Sequence, residues 1–309
     1  MAKCPLFGLC GGCKFDFSAD DYRAKKSETL PKIPGMAAPV WGRVGARRRA
    51  DFAAAPNKFG FYKSGTRDIV NVACCPNLVQ EINEILANMA GLPWECDVAV
   101  LITKCENGIV VNATSNVPYF SPEFKDAVAK LPPQIIRFTW NGQVVRAYNV
   151  PQIAFDDKLV DFPDGAFLQP TVDTEKSMRD LVVQNVAGAK RVVDLFCGIG
   201  NFTFATNATG VDINGCGVNR DLFKKPLTVK QLNQYDAIIM DPPRAGAMAQ
   251  SEQIAKSNVP TVVYVSCNPA TWARDRNILV AGGYSVCSVV PIDQFVASEH
   301  WELFSVFKK

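Results

Sequence analysis

Two residues in the C-terminal part of the chain are candidates for covalent chemistry. Cys267, in the motif SCNP, directly follows a run of apolar residues, and a cysteine thiolate is a strong nucleophile where its pKa is lowered. Glu302 begins a second apolar run, ELFSVF, and its carboxylate can act as a general base. Two alternatives stay open, because most free cysteines are small buried hydrophobes and His300, the single histidine, is a rival base.

A third apolar run leads into a glycine-rich turn, DLFCGIGNF, which starts at Asp194. Gly198 and Gly200 permit a tight turn and the close approach of a ligand, and Asp194 and Asn201 add polar groups beside it. Two glycines at this spacing are weak evidence, because the dinucleotide fingerprint has a third small residue where Thr203 stands. The turn indicates a nucleoside cofactor, with a purely structural turn as the alternative.

Three cysteines near the N-terminus have the spacing of metal ligands. Cys4, Cys10 and Cys13 form the pattern C-x5-C-x2-C, and Cys75 offers a fourth thiol, with its neighbour Cys74 as the alternative. Four thiolates suit either a [4Fe–4S] cluster or a structural zinc ion, and the spacing does not separate the two. The eleven cysteines do not indicate a disulfide framework, because their number is odd and the N-terminus lacks the apolar core of a secretory signal. Among the cysteines without an assigned role, Cys197 and Cys216 included, simple burial is the expectation.

The composition is that of an ordinary globular protein, with 48% hydrophobic and 20% charged residues among 309. This length predicts two domains, and no apolar stretch is long enough for a membrane span. Because the N-terminus lacks the apolar core of a secretory signal, we expect a cytoplasmic protein. The net charge of +3 is too small to imply nucleic-acid binding. Seven Lys and Arg residues nevertheless lie from Arg43 to Arg67, opposed only by Asp51. Such a run can neutralise phosphates, although a solvated basic surface would look the same.

The elements that must position these residues fall into two patterns. From about residue 166, the runs RVVDLF, YDAIIMD and TVVYVSC are apolar on both faces, with a polar residue just past each end. They predict a Rossmann-like α/β domain at 166–309 with a site along the carboxyl edge of its sheet. Short β-rich runs and a hairpin signal at Asn141-Gly142 predict an antiparallel β-rich domain at 96–165. Residues 1–95 form an N-terminal region with the cysteines and the basic run.

In this order, DLFCGIGNF, DPPRAGA and VSCNPAT resemble the RNA uracil-C5 methyltransferase family, and the resemblance covers nearly the whole chain. It implies an enzyme dependent on S-adenosylmethionine, with Cys267 as the nucleophile, Glu302 as the base, and Asp241 beside both cofactor and substrate. Asp212 is the candidate for the acid that holds the ribose hydroxyls. The residues expected to contact S-adenosylmethionine are Gln169, Phe196, Gly198, Asn201, Asp212, Asp221 and Asp241.

The cysteine pattern resembles that of the ribosomal RNA members of this family, whereas the tRNA members generally lack it. The resemblance therefore implies a [4Fe–4S] cluster on Cys4, Cys10, Cys13 and Cys75, with a role in folding and in shaping the RNA surface. It favours 23S rRNA as the substrate and leaves tRNA as the alternative. The sequence indicates no membrane contact and no protein partner.

The implied reaction explains why a cysteine and a carboxylate are both needed. Uracil C5 is a poor nucleophile towards a sulfonium methyl group, but addition of a thiolate to C6 places electron density on C5. After C5 has accepted the methyl group, a general base removes the C5 proton and the cysteine leaves by elimination. Cys267 and Glu302 would take these two roles.

The sequence departs from the family in two places. It starts directly at the cysteine motif, without the N-terminal barrel that many members carry as an aid to RNA binding. Only about forty residues separate Gly200 from Asp241, so we expect a crossover helix to be missing around 206–219.

Two rival functions are weighed against this interpretation. A non-catalytic RNA-binding iron–sulfur protein would have lost cofactor binding in the shortened domain, but the presence of both Cys267 and Glu302 argues against it. Cytosine-C5 methylation of RNA generally uses a second cysteine after the aspartate–proline strand, where this chain has DPPR. Arg244 also replaces the aromatic residue that amino-group methyltransferases have after the prolines.

Overall fold

The computed structural model describes residues 3–309, which fall into two units. Unit 1 contains residues 3–28, 43–172 and 295–299, and unit 2 contains residues 29–42, 173–294 and 300–309. The domain boundary expected between residues 165 and 166 lies shortly before the change of unit at 172–173. The boundary expected between residues 95 and 96 has no counterpart among the units, because strands from both sides of it join one sheet.

Unit 1 is built on a seven-stranded sheet with the order β3-β2-β1-β4-β5-β6-β7, and β8 and β9 form a separate pair. The elements are α1 (Tyr22–Ser27), β1 (Arg49–Ala55), β2 (Lys58–Tyr62), β3 (Ile69–Asn71), α2 (Gln80–Ala90), β4 (Val98–Cys105), β5 (Gly108–Thr114), α3 (Pro122–Ala129), β6 (Ile135–Trp140), β7 (Gln143–Ala147), β8 (Gln152–Phe155) and β9 (Lys158–Asp161). The core of this unit includes one apolar face of α2 and buried residues of α3, packed with inward-facing residues of the strands.

This sheet is mixed, which corrects the expectation of an antiparallel domain at 96–165. Its neighbouring strands run antiparallel except for β5 and β6, which are parallel. The chain between these two strands contains α3, and such a crossover returns it to the same end of the sheet, as parallel pairing requires. The expected hairpin is confirmed, since Asn141 and Gly142 join β6 to β7 with positive φ angles of 49° and 79°.

Unit 2 contains the second seven-stranded sheet, with the order β12-β11-β10-β13-β14-β16-β15. Its elements are α4 (Val172–Val186), β10 (Val192–Leu195), α5 (Asn201–Thr206), β11 (Thr209–Asp212), β12 (Val218–Asn219), α6 (Val229–Leu232), β13 (Ala237–Met240), α7 (Met248–Ala255), β14 (Thr261–Ser266), α8 (Pro269–Ala281), β15 (Ser285–Ile292) and β16 (Glu302–Lys308). Among the residues described, no helix combines the length and the hydrophobicity that crossing a lipid bilayer requires.

The expected Rossmann-like sheet is confirmed in unit 2. The strands from β12 to β14 run parallel, and β16 inserts antiparallel between β14 and β15. Every residue of β10 and β13 is buried, which explains why these runs are apolar at successive positions rather than at alternate ones. Parallel order brings the carboxyl ends of these strands to one edge of the sheet.

The expected loss of a crossover helix is also confirmed. Only residues 213–217 connect β11 to β12, and these strands are nevertheless parallel. Parallel neighbours ordinarily need a connection of about a dozen residues or more. A short connection suffices because only two residues of β12 pair with β11, Val218 with Val211 and Asn219 with Asp212. The chain therefore returns along β11 by two residues instead of by the full length of a strand.

Candidate active site

Three side chains that could take part in a reaction lie together at the carboxyl edge of the unit 2 sheet. Asp241 follows β13, and Cys267 follows the neighbouring strand β14. Because β16 runs antiparallel to β14, its first residue, Glu302, comes to the same edge. The register pairs Ser266 with Leu303, one position from Cys267 and from Glu302 respectively. Strand order thus brings the predicted nucleophile, base and aspartate together.

Burial and charge govern the protonation of these groups. The pKa of the half-buried Cys267 thiol is raised to about 11, mainly by burial and further by Glu302 and Asp241, while Arg244 lowers it. Burial and the neighbouring Asp241 raise the pKa of the Glu302 carboxyl well above its ordinary range. The rival base His300 is exposed, whereas Glu302 is only 3% exposed and its charge raises the pKa of Cys267. The geometry therefore favours Glu302 as the partner of the cysteine.

A buried aspartate that the sequence analysis did not single out holds the DPPRAGA loop. Asp275, on α8, accepts hydrogen bonds from the Tyr264 hydroxyl at 2.7 Å and from the Ala247 backbone amide at 2.6 Å. The Arg274 guanidinium pairs with it at 2.8 Å. Gly246 has a φ of 72°, and a Cβ at that position would lie 2.6 Å from Asp275 Oδ2. The network fixes the loop after β13, and no local pattern in the sequence marks it.

The same loop is tied to the start of α8 by polar residues of the VSCNPAT motif. The Asn268 side-chain amide donates to the Arg244 carbonyl at 3.0 Å, and the Thr271 hydroxyl donates to it at 3.2 Å. Asn268 also caps the helix, since its side-chain oxygen accepts from the Ala270 amide at 3.1 Å. The motif therefore both supplies Cys267 and positions the loop beside it.

The glycine turn between β10 and α5 has an unusual backbone. Phe196, Gly198 and Gly200 have positive φ angles of 61°, 50° and 101°. Two of these positions are glycines, which adopt such angles readily, whereas the bulky Phe196 does so at a cost in strain. A Cβ placed on Gly198 would meet no atom within 4 Å, so there is open space beside this stretch of backbone.

Asp212 holds this turn from the end of β11. Its carboxylate accepts hydrogen bonds from the backbone amides of Gly198 and Asn214, each at 3.1 Å. The Cys216 amide donates to the Gly198 carbonyl at 2.8 Å. The short connection 213–217 is therefore bonded directly to the glycine turn, and Asp212 lies at the same sheet edge as the catalytic candidates.

Asp194 lies on β10, between the strand that ends at Asp212 and the strand that Asp241 follows. It is fully buried, and burial raises its carboxyl pKa to about 8, although a hydrogen bond from Thr203 at 2.6 Å lowers it. Thr203, which departs from the dinucleotide fingerprint, is thus the partner of Asp194. Asp194 Oδ1 and Asn201 Nδ2 are buried without a hydrogen-bond partner within residues 3–309. Buried polar atoms of this kind are commonly satisfied by a polar ligand or by water.

The remaining predicted cofactor contacts fall in both units. Asp221 accepts hydrogen bonds from the Phe223 and Lys224 amides at 3.0 and 3.2 Å, and the ring of Phe223 lies 5.4 Å from that of Phe196. These residues of unit 2 follow β12 and β10. Gln169 belongs to unit 1, where it is buried and its backbone carbonyl accepts from Arg48 at 3.1 Å.

The basic run is only partly a surface feature, which corrects its interpretation as one phosphate-binding stretch. Arg48 is 3% exposed, and Arg47 and Arg49 donate to the backbone carbonyls of Arg49 and Ala166 at 2.8 and 2.6 Å. Burial lowers the pKa of both Arg47 and Arg49. The exposed members of the run are Arg43, Lys58, Lys63 and Arg67.

The four candidate metal ligands share one region of unit 1. Burial raises the pKa of Cys13 to about 12, and Cys75, Cys10 and Cys4 raise it further. The pKa of Cys10 is raised by burial and by Cys4, and that of Cys75 by burial and by Cys10 and Cys4. The Gly12 amide donates to Cys10 Sγ at 3.3 Å. Cys74, the alternative ligand, is exposed. Within residues 3–309, however, no group of three or more His, Cys, Asp or Glu side chains is arranged to hold a metal ion.

Comparison with known proteins gives concordant results. A family model described as tRNA (Uracil-5-)-methyltransferase matches residues 219–309. The chain is 33% identical to an uncharacterized RNA methyltransferase of Mesorhizobium japonicum, covering 99% of this chain and 84% of that protein. It is 34% identical to one of Rhizobium meliloti, covering 98% and 83%. These alignments span 349 and 346 residues, so they contain positions that have no counterpart among the 309 residues of this chain.

One solved structure is similar in fold over most of the chain. It is the Pyrococcus abyssi tRNA (uracil-54, C5)-methyltransferase in complex with S-adenosyl-L-homocysteine, with a TM-score of 0.73 at 19% identity. The match covers 92% of this chain and 81% of that one. At this identity the likeness concerns the fold.

Proposed function

This chain belongs to the RNA (uracil-5-)-methyltransferase family, and we propose that it methylates C5 of a uridine in RNA through a covalent adduct with Cys267. The observation that carries the proposal is the meeting of Cys267, Asp241 and Glu302 at one edge of the unit 2 sheet. A buried acid beside a half-buried thiol is the pair that nucleophilic addition and later proton removal require.

The proposed roles follow from the charges around each group. Arg244 lowers the pKa of Cys267 and so favours the thiolate that adds to C6 of the uracil. The raised pKa of Glu302 makes its ionised carboxylate a stronger base, suited to taking the proton from C5. The bond between Cys267 Sγ and C6 then breaks by elimination. Asp241 maintains the raised pKa of Glu302 through its own charge.

S-adenosylmethionine fits the part of this sheet edge at the ends of β10 and β11, and when bound it supplies an electrophilic methyl group. Gly198 leaves open space beside its backbone, and Asp194 Oδ1 and Asn201 Nδ2 are buried polar atoms without a partner within residues 3–309. Asp212 is the proposed ribose-binding acid. The other proposed contacts in unit 2 are Phe196, Asp221 and Asp241, while Gln169, which belongs to unit 1, stays a prediction from the sequence.

The four N-terminal cysteines are proposed to hold a [4Fe–4S] cluster with a structural role. In support, Cys4, Cys10, Cys13 and Cys75 are near enough to affect one another's pKa, and a backbone amide donates to the Cys10 sulfur; in the described residues 3–309 the side chains are not arranged around a metal ion. The partly buried Arg47 is close enough to Cys13 and Cys75 to interact with them, so its charge offsets that of thiolates.

The proposed substrate is 23S rRNA, because the cysteine pattern is the feature that separates the rRNA members from the tRNA members of the family. The similar solved structure is that of a tRNA (uracil-54, C5)-methyltransferase, so tRNA is tested beside 23S rRNA. The purified protein is incubated with methyl-labelled S-adenosylmethionine and either unmodified 23S rRNA or tRNA, and the digested nucleosides are identified by mass spectrometry. We expect 5-methyluridine in the rRNA. If 5-methyluridine formed in tRNA alone, tRNA would be the substrate and the proposed reaction would stand. Methyl transfer to cytosine would refute the proposal.

The cluster is tested by iron and sulfide content. Protein purified without oxygen should hold about four iron atoms per chain, and Cys13→Ser should lose most of them. Cys74→Ser is the matched control, because Cys74 is exposed and adjacent to the proposed ligand Cys75. Bound zinc in place of iron would refute the cluster, and loss of iron in the Cys74 variant would refute the choice of Cys75.

A further inference from the structure

Two cysteines outside the proposed catalytic and metal-binding groups lie against each other under the glycine turn of unit 2. Cys197 follows β10 and Cys216 belongs to the short connection 213–217, and their sulfur atoms are 3.8 Å apart. Cys197 Sγ also lies 3.0 Å from the Cys216 carbonyl oxygen. The pairing depends on the shortened connection, because the Cys216 amide that donates to the Gly198 carbonyl draws this loop onto the turn.

The two thiols have unequal environments. Cys197 is buried, at 7% exposure, whereas Cys216 is only partly buried. The hydrogen bond between them lowers the pKa of Cys216 to about 6 and raises that of Cys197. A more exposed thiol of lowered pKa beside a buried thiol is the arrangement of an attacking and a resolving cysteine.

We propose that Cys197 and Cys216 form an oxidisable pair that peroxide converts to a disulfide, with Cys216 as the attacking and Cys197 as the resolving residue. The Cys216 thiolate attacks one peroxide oxygen, the O–O bond breaks, and the departing hydroxide takes up a proton as water. The sulfenic acid formed on Cys216 then reacts with the Cys197 thiol, and the second water leaves as the S–S bond forms. Two thiols lose two electrons in total, and one peroxide molecule is reduced to two waters.

The consequence for cofactor binding rests on the proposed function. Bond formation draws the sulfurs from 3.8 Å to about 2 Å. Cys197 lies in the glycine turn itself, and Cys216 is hydrogen-bonded to that turn because its amide donates to the Gly198 carbonyl at 2.8 Å. The glycine turn must therefore shift with the sulfurs, and S-adenosylmethionine should bind about tenfold more weakly to the oxidised protein, a loss of about 1.4 kcal/mol.

The disulfide can be read from a single peptide. Trypsin releases residues 192–220 in one piece, because no Lys or Arg lies between Arg191 and Arg220, and this peptide contains no cysteine besides 197 and 216. The full-length protein is treated with stoichiometric hydrogen peroxide, alkylated and digested. We expect this peptide to become lighter by two hydrogen atoms and to resist alkylation until dithiothreitol is added. The exposed Cys287, in the peptide 277–308, serves as the internal control and should stay open to alkylation.

Two variants test the order of attack. In Cys197→Ser the sulfenic acid on Cys216 cannot be resolved, so a dimedone adduct should accumulate at residue 216. In Cys216→Ser the buried Cys197 should give at least about tenfold less adduct, in line with its lower thiolate fraction. Alkylation of both cysteines after peroxide treatment of the unsubstituted protein would refute the pair. Equal dimedone labelling of the two variants would refute the assigned order.

Calorimetric titration with S-adenosylmethionine tests the consequence separately. The affinity should fall on oxidation, return with dithiothreitol, and be insensitive to peroxide in Cys216→Ser. An oxidised protein with unchanged affinity would refute control over the cofactor. If neither redox form binds S-adenosylmethionine, the proposed function fails, whereas the disulfide in peptide 192–220 is measured without the cofactor and stands or falls alone.

Discussion

The two halves of the unit 2 sheet hold their functional residues in different ways. On the side of β13, β14 and β16, side chains do this: the buried Asp275 ties the DPPRAGA loop to α8, and the partly buried Asn268 binds the same loop through the Arg244 carbonyl. On the side of β10, β11 and β12, the backbone does most of it, through positive φ angles and the five-residue connection 213–217.

This difference explains which half can lose a helix. Where a loop is held by side chains of a following helix, removal of that helix would release the loop. Where the glycine turn is held by Asp212 and by the amide of Cys216, both of which sit at or near the end of β11, a crossover helix is not needed. The comparison predicts that chemistry and cofactor binding can be damaged separately.

The largest expected effect is that of Cys267→Ala. It removes the only proposed covalent bond to the uracil, so methyl transfer should fall below detection. Binding of S-adenosylmethionine should change by less than about twofold, because the glycine turn belongs to the other half of the sheet. Transfer assays and calorimetry on the same preparation measure both. A simultaneous loss of cofactor binding would show that the two halves are not separable.

Glu302→Gln should slow turnover by about 10²–10⁴-fold, the usual contribution of a general base. Because the amide cannot take the C5 proton, the RNA should stay attached to Cys267 and migrate with the protein on a denaturing gel. His300→Asn is the matched control, since that side chain is exposed two residues away, and it should turn over normally without adduct. Adduct in the His300 variant instead would reverse the assignment of the base.

Much of this arrangement is visible in the sequence, for a physical reason. A strand buried on both faces requires an unbroken apolar run, so β10, β13 and β14 are marked by composition, and the polar residue after each run marks the site. Glu302 is marked in the same way by the apolar strand that it begins. The missing helix is visible as a shortage of residues between Gly200 and Asp241.

The features that escape the sequence depend on partners far along the chain. Arg47, Arg48 and Arg49 look like a surface run, but backbone carbonyls of distant segments, such as that of Ala166, give two of them acceptors inside unit 1. Nothing in the local sequence distinguishes Asp275 from other acidic residues, because its partners Tyr264 and Ala247 come next to it only in the folded protein. The parallel pairing of β5 and β6 depends on the path of α3, which local alternation does not encode.

Asp194, which interacts with Asp241 on one side and Cys216 on the other, joins the two halves and makes stability depend on pH. Its pKa is raised to about 8 in the folded protein, against about 3.9 in an unfolded chain. Between these values the folded state retains a proton that the unfolded state loses. Stability from this group is therefore complete below about pH 4 and is lost as the pH rises through about 8.

Asp194→Asn should remove this dependence. The protein without cofactor should lose about 1–3 kcal/mol of unfolding free energy between pH 5 and pH 8 that the variant does not lose. Urea denaturation at the two pH values measures it, and the exposed Asp180→Asn serves as the control. The same decline in the Asp194 variant would assign the pH dependence to another group.

Asp212→Ala tests the cofactor half by itself. The variant loses the acceptor of the Gly198 and Asn214 amides, so the turn loosens and the affinity for S-adenosylmethionine should fall about tenfold, the effect of one charge-assisted hydrogen bond. The thiol reactivity of Cys267 towards a small alkylating reagent should not change. A change in that reactivity would mean that the turn also shapes the chemical half.

The smallest effect expected is that of Arg244→Ala. In the half of the sheet with β13, β14 and β16, this variant separates the effect of the Arg244 charge from the effect of the loop position. The pKa of Cys267 is about 11, so the thiolate fraction and the rate of uracil addition should rise with pH by about tenfold per unit on the approach to that value. Loss of the Arg244 guanidinium should raise the pKa further, which moves the rate profile to higher pH and slows the reaction several-fold near neutrality.

Arg244 is exposed, and its backbone carbonyl, rather than its side chain, accepts the bonds from Asn268 and Thr271, so the loop should keep its position in the variant. Arg244→Lys restores a positive charge and should return the profile towards that of the unsubstituted protein. If both variants slow the reaction equally at every pH, the guanidinium acts on RNA binding rather than on the thiol, and the electrostatic role assigned to it is wrong.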